Sequence, residues 1–216
     1  MSRLRLASWN VNSLKVRLPQ VLDWLESAKI DALVMQETKT TDDVFPQAAF
    51  AEAGFDVFFL GQKTYNALHS VLAKQQLRLR MLCLVSLAGP ILKNVLFRRS
   101  ITLAAPEQPP IRFCGGYFPN GQAVGSSKYL YKLDWIAVLE RTLKTYLADT
   151  PRLVLGGDFN IAPADADVSN PEAWRGKILC SEPERKALER LFALGLYDSF
   201  RLFTQPQSAF LGGTIV

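Results

Sequence analysis

Three apolar runs of strand length in this chain each stop on a carboxylate or an amide, and this punctuation constrains the fold more than any other feature. Leu4 to Trp9 alternates apolar and polar residues and runs into Asn10-Val11-Asn12-Ser13. Asp31-Ala32-Leu33-Val34-Met35-Gln36 closes on Glu37, and Arg152 to Gly157 closes on Asp158-Phe159-Asn160. Alternation with a period of two, or a short apolar run bounded by turn residues, marks a β-strand. Phe55 to Leu60 and Ile111 to Phe118 read the same way. Between these runs the period changes. Leu18, Val21, Leu22, Leu25 and Ala28 recur at helical spacing, so Arg17 to Lys29 is expected to be an amphipathic helix with Pro19 in its first turn. Tyr129 to Leu147 reads as a long helix, and Glu184 to Leu194 as another, stopped by Gly195. Strands that alternate with helices predict an α/β domain, and 216 residues are enough to build one.

The net charge of +5 suggests a nucleic-acid binder at first sight, but its distribution weakens that reading. Residues 57–106 hold seven Lys or Arg and no Asp or Glu, while the other 166 residues hold 18 basic and 20 acidic side chains, a net of −2. The excess therefore lies in one stretch. Within it, Leu68 to Phe97 is apolar and basic with no clean period of 2 or 3.6, and reads either as a buried helix with a basic end or as foreign text. Cys83, Cys114 and Cys180 have neither paired nor metal-ligand spacing and are expected to be inert thiols in a reducing cytoplasm. No run of about 18 apolar residues predicts a membrane span. Met1-Ser2-Arg3-Leu4-Arg5-Leu6 has no signal-peptide core, so the expected location is cytoplasmic.

In open α/β sheets, functional groups gather at strand ends, which makes the polar stops the first candidates for a site. Asn10 and Asn12 supply amides, Glu37 a carboxylate, and Asp158 and Asn160 a carboxylate and an amide two residues apart. In an extended strand, residues i and i+2 point the same way, so Asp158 and Asn160 are expected to face one cleft. A lone carboxylate flanked by amide and water oxygens suits Mg²⁺, a hard ion that keeps several waters, and a second acid nearby can take a proton from an attacking water. Tyr117, between Gly116 and Phe118-Pro119-Asn120-Gly121, offers a phenol beside a loop. Taken singly, each has a plainer reading. Glu37 also reads as a solvated strand end, Asp158 with Asn160 as a turn-capping pair, Asn10 and Asn12 as helix caps, and Tyr117 as packing.

Their joint order is more specific. Ser8-Trp9-Asn10-Val11-Asn12-Ser13-Leu14, Gln36-Glu37-Thr38-Lys39, Gly61-Gln62-Lys63-Thr64-Tyr65-Asn66, Gly116-Tyr117-Phe118-Pro119-Asn120-Gly121 and Gly157-Asp158-Phe159-Asn160-Ile161-Ala162-Pro163 follow one another, with Trp174-Arg175-Gly176-Lys177 and Asp198-Ser199-Phe200-Arg201 further on. This text resembles the exodeoxyribonuclease III family of the endonuclease/exonuclease/phosphatase superfamily, over residues 3–66 and roughly 98–210. The resemblance implies a deoxyribonuclease I-like fold, a four-layer sandwich of two packed mixed sheets flanked by helices, as a single domain over residues 1–216. It implies a monomeric Mg²⁺-dependent hydrolase, with Mn²⁺ as a substitute ion, that cuts double-stranded DNA at abasic sites or 3′ ends in base-excision repair. Asn10 and Glu37, with Asp158 and Asn160, would hold the metal. Asp158 would transfer a proton, Asn160 would position phosphate or metal-bound water, and Tyr117 would contact the scissile phosphate.

The chain also departs from the family. Family sequences carry an Arg-Ile-Asp-type strand and a closing Ser-Asp-His-Ala-Pro-type motif, and neither occurs here; the only histidine is His69. The expectation is a chain truncated after Phe210, incomplete in its C-terminal strands and with little turnover. After Asn66, where the family continues Gly-Val-Ala, this chain has Ala67-Leu68-His69-Ser70. Loss of one base there, compensated before about Arg98, accounts for the foreign text at 67–97, and a second loss accounts for Phe210-Leu211-Gly212-Gly213-Thr214-Ile215-Val216. Two rival readings stand beside the nuclease. One is an inactive remnant, unfolded or binding DNA without cutting it. The other is a phosphoesterase acting on lipid or inositol phosphates, against which Gln62 to Asn66 and Trp174 to Lys177 favour DNA.

Overall fold

The alternating pattern of residues 6–36 builds a strand, a helix and a second strand. In a computed structural model of the chain, which describes residues 4–60, 68–73, 100–103, 111–204 and 214–215, these are β1 (Leu6–Asn10), α1 (Leu14–Ser27) and β2 (Ala32–Gln36). The chain divides into two compact units, residues 1–117 with 152–157, and residues 118–151 with 158–216.

The first unit holds two sheets. In one, β1 and β2 run parallel with Leu6 opposite Ala32 and Asn10 opposite Gln36, as a helical crossover demands. After α2 (Gln47–Glu52), β3 (Phe55–Leu60) and β4 (Leu68–Ala73) complete it in the order β1-β2-β4-β3. There β4 runs antiparallel to both neighbours. The other sheet pairs β5 (Ser100–Leu103) antiparallel with β6 (Ile111–Tyr117), which lies beside β7 (Leu153–Asp158). Alternation along β2 explains its unbroken apolar run. Leu33 and Met35 pack into a core with Leu14, Val21 and Leu25 of α1. Ala32 and Val34, on the opposite face, meet Leu72 and Phe113 between the sheets. A strand buried on both faces needs apolar residues at every position.

The sheets approach closely where β6 and β7 lack side chains. A Cβ on Gly115 would lie 2.6 Å from Val34 Cγ1, and one on Gly156 3.2 Å from Ser8 Cβ.

The second unit is helical. Ser126 caps α3 (Ser127–Asp149), its hydroxyl accepting Tyr129 N–H at 3.1 Å. The buried stripe Tyr129, Trp135, Ile136, Leu139 and Leu143 recurs at helical spacing. α4 (Pro171–Trp174) is short, and α5 (Glu182–Phe192) buries Ala187, Leu188 and Leu191. Thr214–Ile215 form a two-residue strand.

Several boundaries differ from those read in the sequence. α1 begins three residues before Arg17, because buried Val11 and Leu14 anchor its start, and this places Pro19 inside the helix rather than in its first turn. Leu68–Ala73 is a strand, although the aperiodic text hid it. It sits inside its sheet with Val71 and Leu72 fully buried, so alternation between apolar and exposed polar residues is lost. The remainder of the anomalous segment, residues 67 and 74–97, lies outside the described residues, as do Cys83 and residues 205–213.

Candidate active site

Parallel pairing of β1 with β2 continues past the last paired residues and carries the first group of candidates. Val11 N–H donates to the Gln36 carbonyl at 3.0 Å, Ser13 N–H to Glu37 at 2.8 Å and Leu14 N–H to Thr38 at 2.9 Å. Glu37 adopts φ 50°, a left-handed conformation unfavourable to residues other than glycine. The three backbone bonds hold it there. Asn10 Nδ2 then donates to Glu37 Oε1 at 2.8 Å, and the Tyr117 hydroxyl to the same oxygen at 3.4 Å. Lys39 Nζ lies 3.9 Å from Glu37 Oε2, and the carboxylate is 25% exposed. Of the residues singled out in the sequence, Asn10, Glu37 and Tyr117 therefore meet in the first unit.

Asp158 and Asn160 meet in the second, by a route other than strand alternation. Asp158 ends β7, whereas Asn160 lies beyond it at φ 49°. Asn160 N–H donates to Asp158 Oδ1 at 3.1 Å, an Asx-type turn. The expectation that both side chains project from one extended strand is corrected: a local turn joins them. Asp158 is 8% exposed, and its carbonyl accepts Phe118 N–H at 2.9 Å. Asn160 Nδ2 donates to the Phe118 carbonyl at 3.0 Å, and Asn120 Nδ2 to Asn160 Oδ1 at 3.3 Å.

Beneath these groups lie charged residues that the sequence reading passed over. Lys132 Nζ donates to the Asn160 carbonyl and to Glu184 Oε1, each at 2.5 Å. Burial pulls its ammonium pKa down, opposed by the hydrogen bond and charge of Glu184 and by the charge of Asp158. A signal was available, since Lys132 interrupts the apolar stripe of α3. In the first unit, His69 is buried in β4 with Nδ1 2.9 Å from Thr38 Oγ1, Nε2 3.3 Å from Asp42 Oδ1, and its ring stacked on Phe45 at 4.3 Å. Arg201, from the Asp198-to-Arg201 motif, pairs with Asp167 at 2.6 Å and with Asp198, so that motif ties two loops together. Trp174 is partly exposed at the end of α4. Burial pushes the Cys114 thiol up to about 12 and raises that of Cys180, which leaves both protonated and unreactive at neutral pH.

The donor chemistry fits a hard cation. Glu37 offers a partly exposed carboxylate with the Asn10 amide beside it, and Mg²⁺ binds through one or two carboxylates with water completing its shell.

Residues 7–215 match the Endonuclease/Exonuclease/phosphatase family, and the chain belongs to that family. It is 29% identical over 207 residues to the exodeoxyribonuclease III of Haemophilus influenzae, an alignment covering 92% of this chain and 75% of that protein. A 3′ phosphatase from Neisseria, solved bound to product DNA hairpin, is 39% identical with a TM-score of 0.78, over 93% of this chain and 74% of that one. An AP endonuclease from Archaeoglobus fulgidus is 32% identical with a TM-score of 0.76, over 93% and 74% of the two chains. The fold is thus the α/β architecture of these nucleases, with mixed sheet and helices.

Proposed function

We propose that this chain is a Mg²⁺-dependent DNA phosphodiester hydrolase of the exodeoxyribonuclease III and abasic-site endonuclease type, acting as a cytoplasmic monomer on double-stranded DNA in base-excision repair. The observation that carries the reading is the convergence of Asn10 and Tyr117 on one oxygen of Glu37, three residues from separate motifs meeting as a phosphodiesterase needs them. The one family match runs through both compact units, which supports treating them as parts of a single catalytic domain.

In this reading Glu37 and Asn10 hold Mg²⁺, with Asp158 and Asn160 assisting. The ion, when bound, neutralises charge that develops on the phosphate oxygens. Asp158 takes the proton of the water that attacks phosphorus as the bond from phosphorus to the leaving sugar oxygen breaks. Its bond from Asn160 N–H fixes the carboxylate for that transfer. Asn160 and Tyr117 orient the phosphate with a side-chain amide and a phenol. Likeness to a Neisseria 3′ phosphatase supports 3′ ends as a substrate of this chain, and likeness to an Archaeoglobus AP endonuclease supports abasic sites.

The test compares three duplexes, one with a 3′ phosphate, one with an abasic site and one with a recessed 3′ end, in Mg²⁺ and in EDTA. Turnover is expected in Mg²⁺, abolished by EDTA and by Glu37→Ala. Activity that persists in Glu37→Ala removes that residue from the site, and activity that persists in EDTA overturns the metal dependence.

A further inference from the structure

Lys132 and Glu184 form an ion pair with both side chains 0% exposed. Such a pair is a poor device for stability. Two charges lose their hydration, and replacing them together with apolar residues of similar volume is often neutral or stabilising. Lys132 also occupies a position on the buried stripe of α3 that an apolar residue would fill. What the pair supplies that apolar residues cannot is direction. The ammonium donates to Glu184 Oε1 and the Asn160 carbonyl at 2.5 Å each, and to the Asn120 carbonyl at 3.4 Å. Glu184 is fixed in turn. Its Oε2 accepts Ser181 N–H at 3.2 Å and Ser181 Oγ–H at 2.6 Å, and its Oε1 accepts Leu179 N–H at 3.2 Å. The lysine therefore hangs from an anchored carboxylate and reaches two loop carbonyls. Those carbonyls belong to the two asparagines whose side chains bond each other, one of them at φ 49°.

We propose that Lys132, held by Glu184, is a positioning residue that sets the Asn160 and Asn120 loops and so aims the Asn160 amide at the phosphate. The proposal rests on the role given above to Asn160. The ammonium bonds backbone oxygens, so it constrains the peptide orientation on which a left-handed Asn160 depends. The carboxylate at α5 keeps the ammonium from relaxing toward any other acceptor.

The test uses the full chain with Lys132→Met/Glu184→Leu, read by thermal melting, by the side-chain amide signals of Asn160 and Asn120 in ¹⁵N-edited NMR, and by turnover on the 3′-phosphate duplex. The double variant is expected to melt cooperatively but lower, because Ser181 N–H and Leu179 N–H lose their acceptor. Its two asparagine signals are expected to shift or broaden, and kcat to fall by up to about a hundredfold with KM little changed, as misplacement of a positioned group does. Lys132→Arg/Glu184→Asp should restore part of kcat. Unchanged asparagine signals in a folded double variant overturn the proposal whatever the activity. If the double variant does not melt cooperatively, Glu184→Gln carries the same readouts, and unchanged asparagine signals there overturn it as well. Displaced signals in a chain without turnover uphold the positioning and count against the functional reading. Unchanged kcat in an active chain counts against the positioning alone.

Discussion

Burial sets the charge of His69. Its imidazole pKa is lowered from 6.5 to about 4 by loss of hydration, which the charge and hydrogen bond of Asp42 oppose without overcoming. In a neutral ring Nδ1 accepts the Thr38 hydroxyl at 2.9 Å, while Nε2 faces Asp42 Oδ1 at 3.3 Å. The fold binds the neutral form, so between pH 6.5 and about 4 the unfolded chain takes up a proton that the folded chain refuses. Stability from this residue is present in full above pH 6.5 and is lost as pH falls to about 4, by on the order of 3 kcal/mol. Unfolding free energies from urea titrations of the unaltered chain and His69→Phe, measured across that range, should diverge by about this amount, and parallel curves would refute the assignment. At this scale the sequence was informative where residue type alone implied chemistry, as for Glu37 with Asn10. It was misleading where backbone conformation decides, because no pattern in Asp158-Phe159-Asn160 announces a left-handed Asn160. It was readable but unread at Lys132, where one charge breaks an apolar stripe.

Sheet contact in the first unit depends on the absence of side chains. A Cβ at Gly115 would sit 2.6 Å from Val34 Cγ1 and 3.0 Å from its Cγ2, closer than carbon atoms approach. Val34 is itself buried between the sheets, with no room to turn aside. Gly115→Ala is therefore expected to lower stability by roughly 1–3 kcal/mol, the range for overpacking a core. Val34→Ala added to it should recover part of the loss, and a double variant no better than the sum of the singles would show that the clash lies elsewhere. The strands that form this contact were legible because their patterns are regular. β2 closes on Glu37 after an apolar run, and Phe55–Leu60 was read to its correct ends. β4 was not legible. An interior strand has no exposed face to mark a period, and His69 and Ser70, polar but buried, blur the apolar run further. The start of α1 was misplaced for a related reason: a proline near a helix start is read as the first turn, whereas packing of Leu14 extends this helix ahead of it.

For the whole chain, the family match runs from residue 7 to residue 215 and includes the segment expected to be foreign text. Residues 68–73, near the start of that segment, occupy a strand between β2 and β3 with Leu72 opposite Ala32 and Asp56. An interior strand asks chiefly for apolar volume and backbone pairing. Val71 and Leu72 supply the volume, and Thr38 with Asp42 receives the polar ring of His69. Strand formation at this place is therefore compatible with a changed reading frame. The charge pattern points to such a change, since seven basic and no acidic residues over 57–106 is what a frame without selection for a balanced surface can produce. Sequencing the gene decides the question. Just after the Asn66 codon, a shifted frame is expected to read Gly-Val-Ala or close to it, returning to the present frame before about Arg98. If that frame holds no such text, β4 and its histidine are native to this protein. The buried contact of His69 with Thr38, beside Glu37, would then stand as a native feature of this sheet.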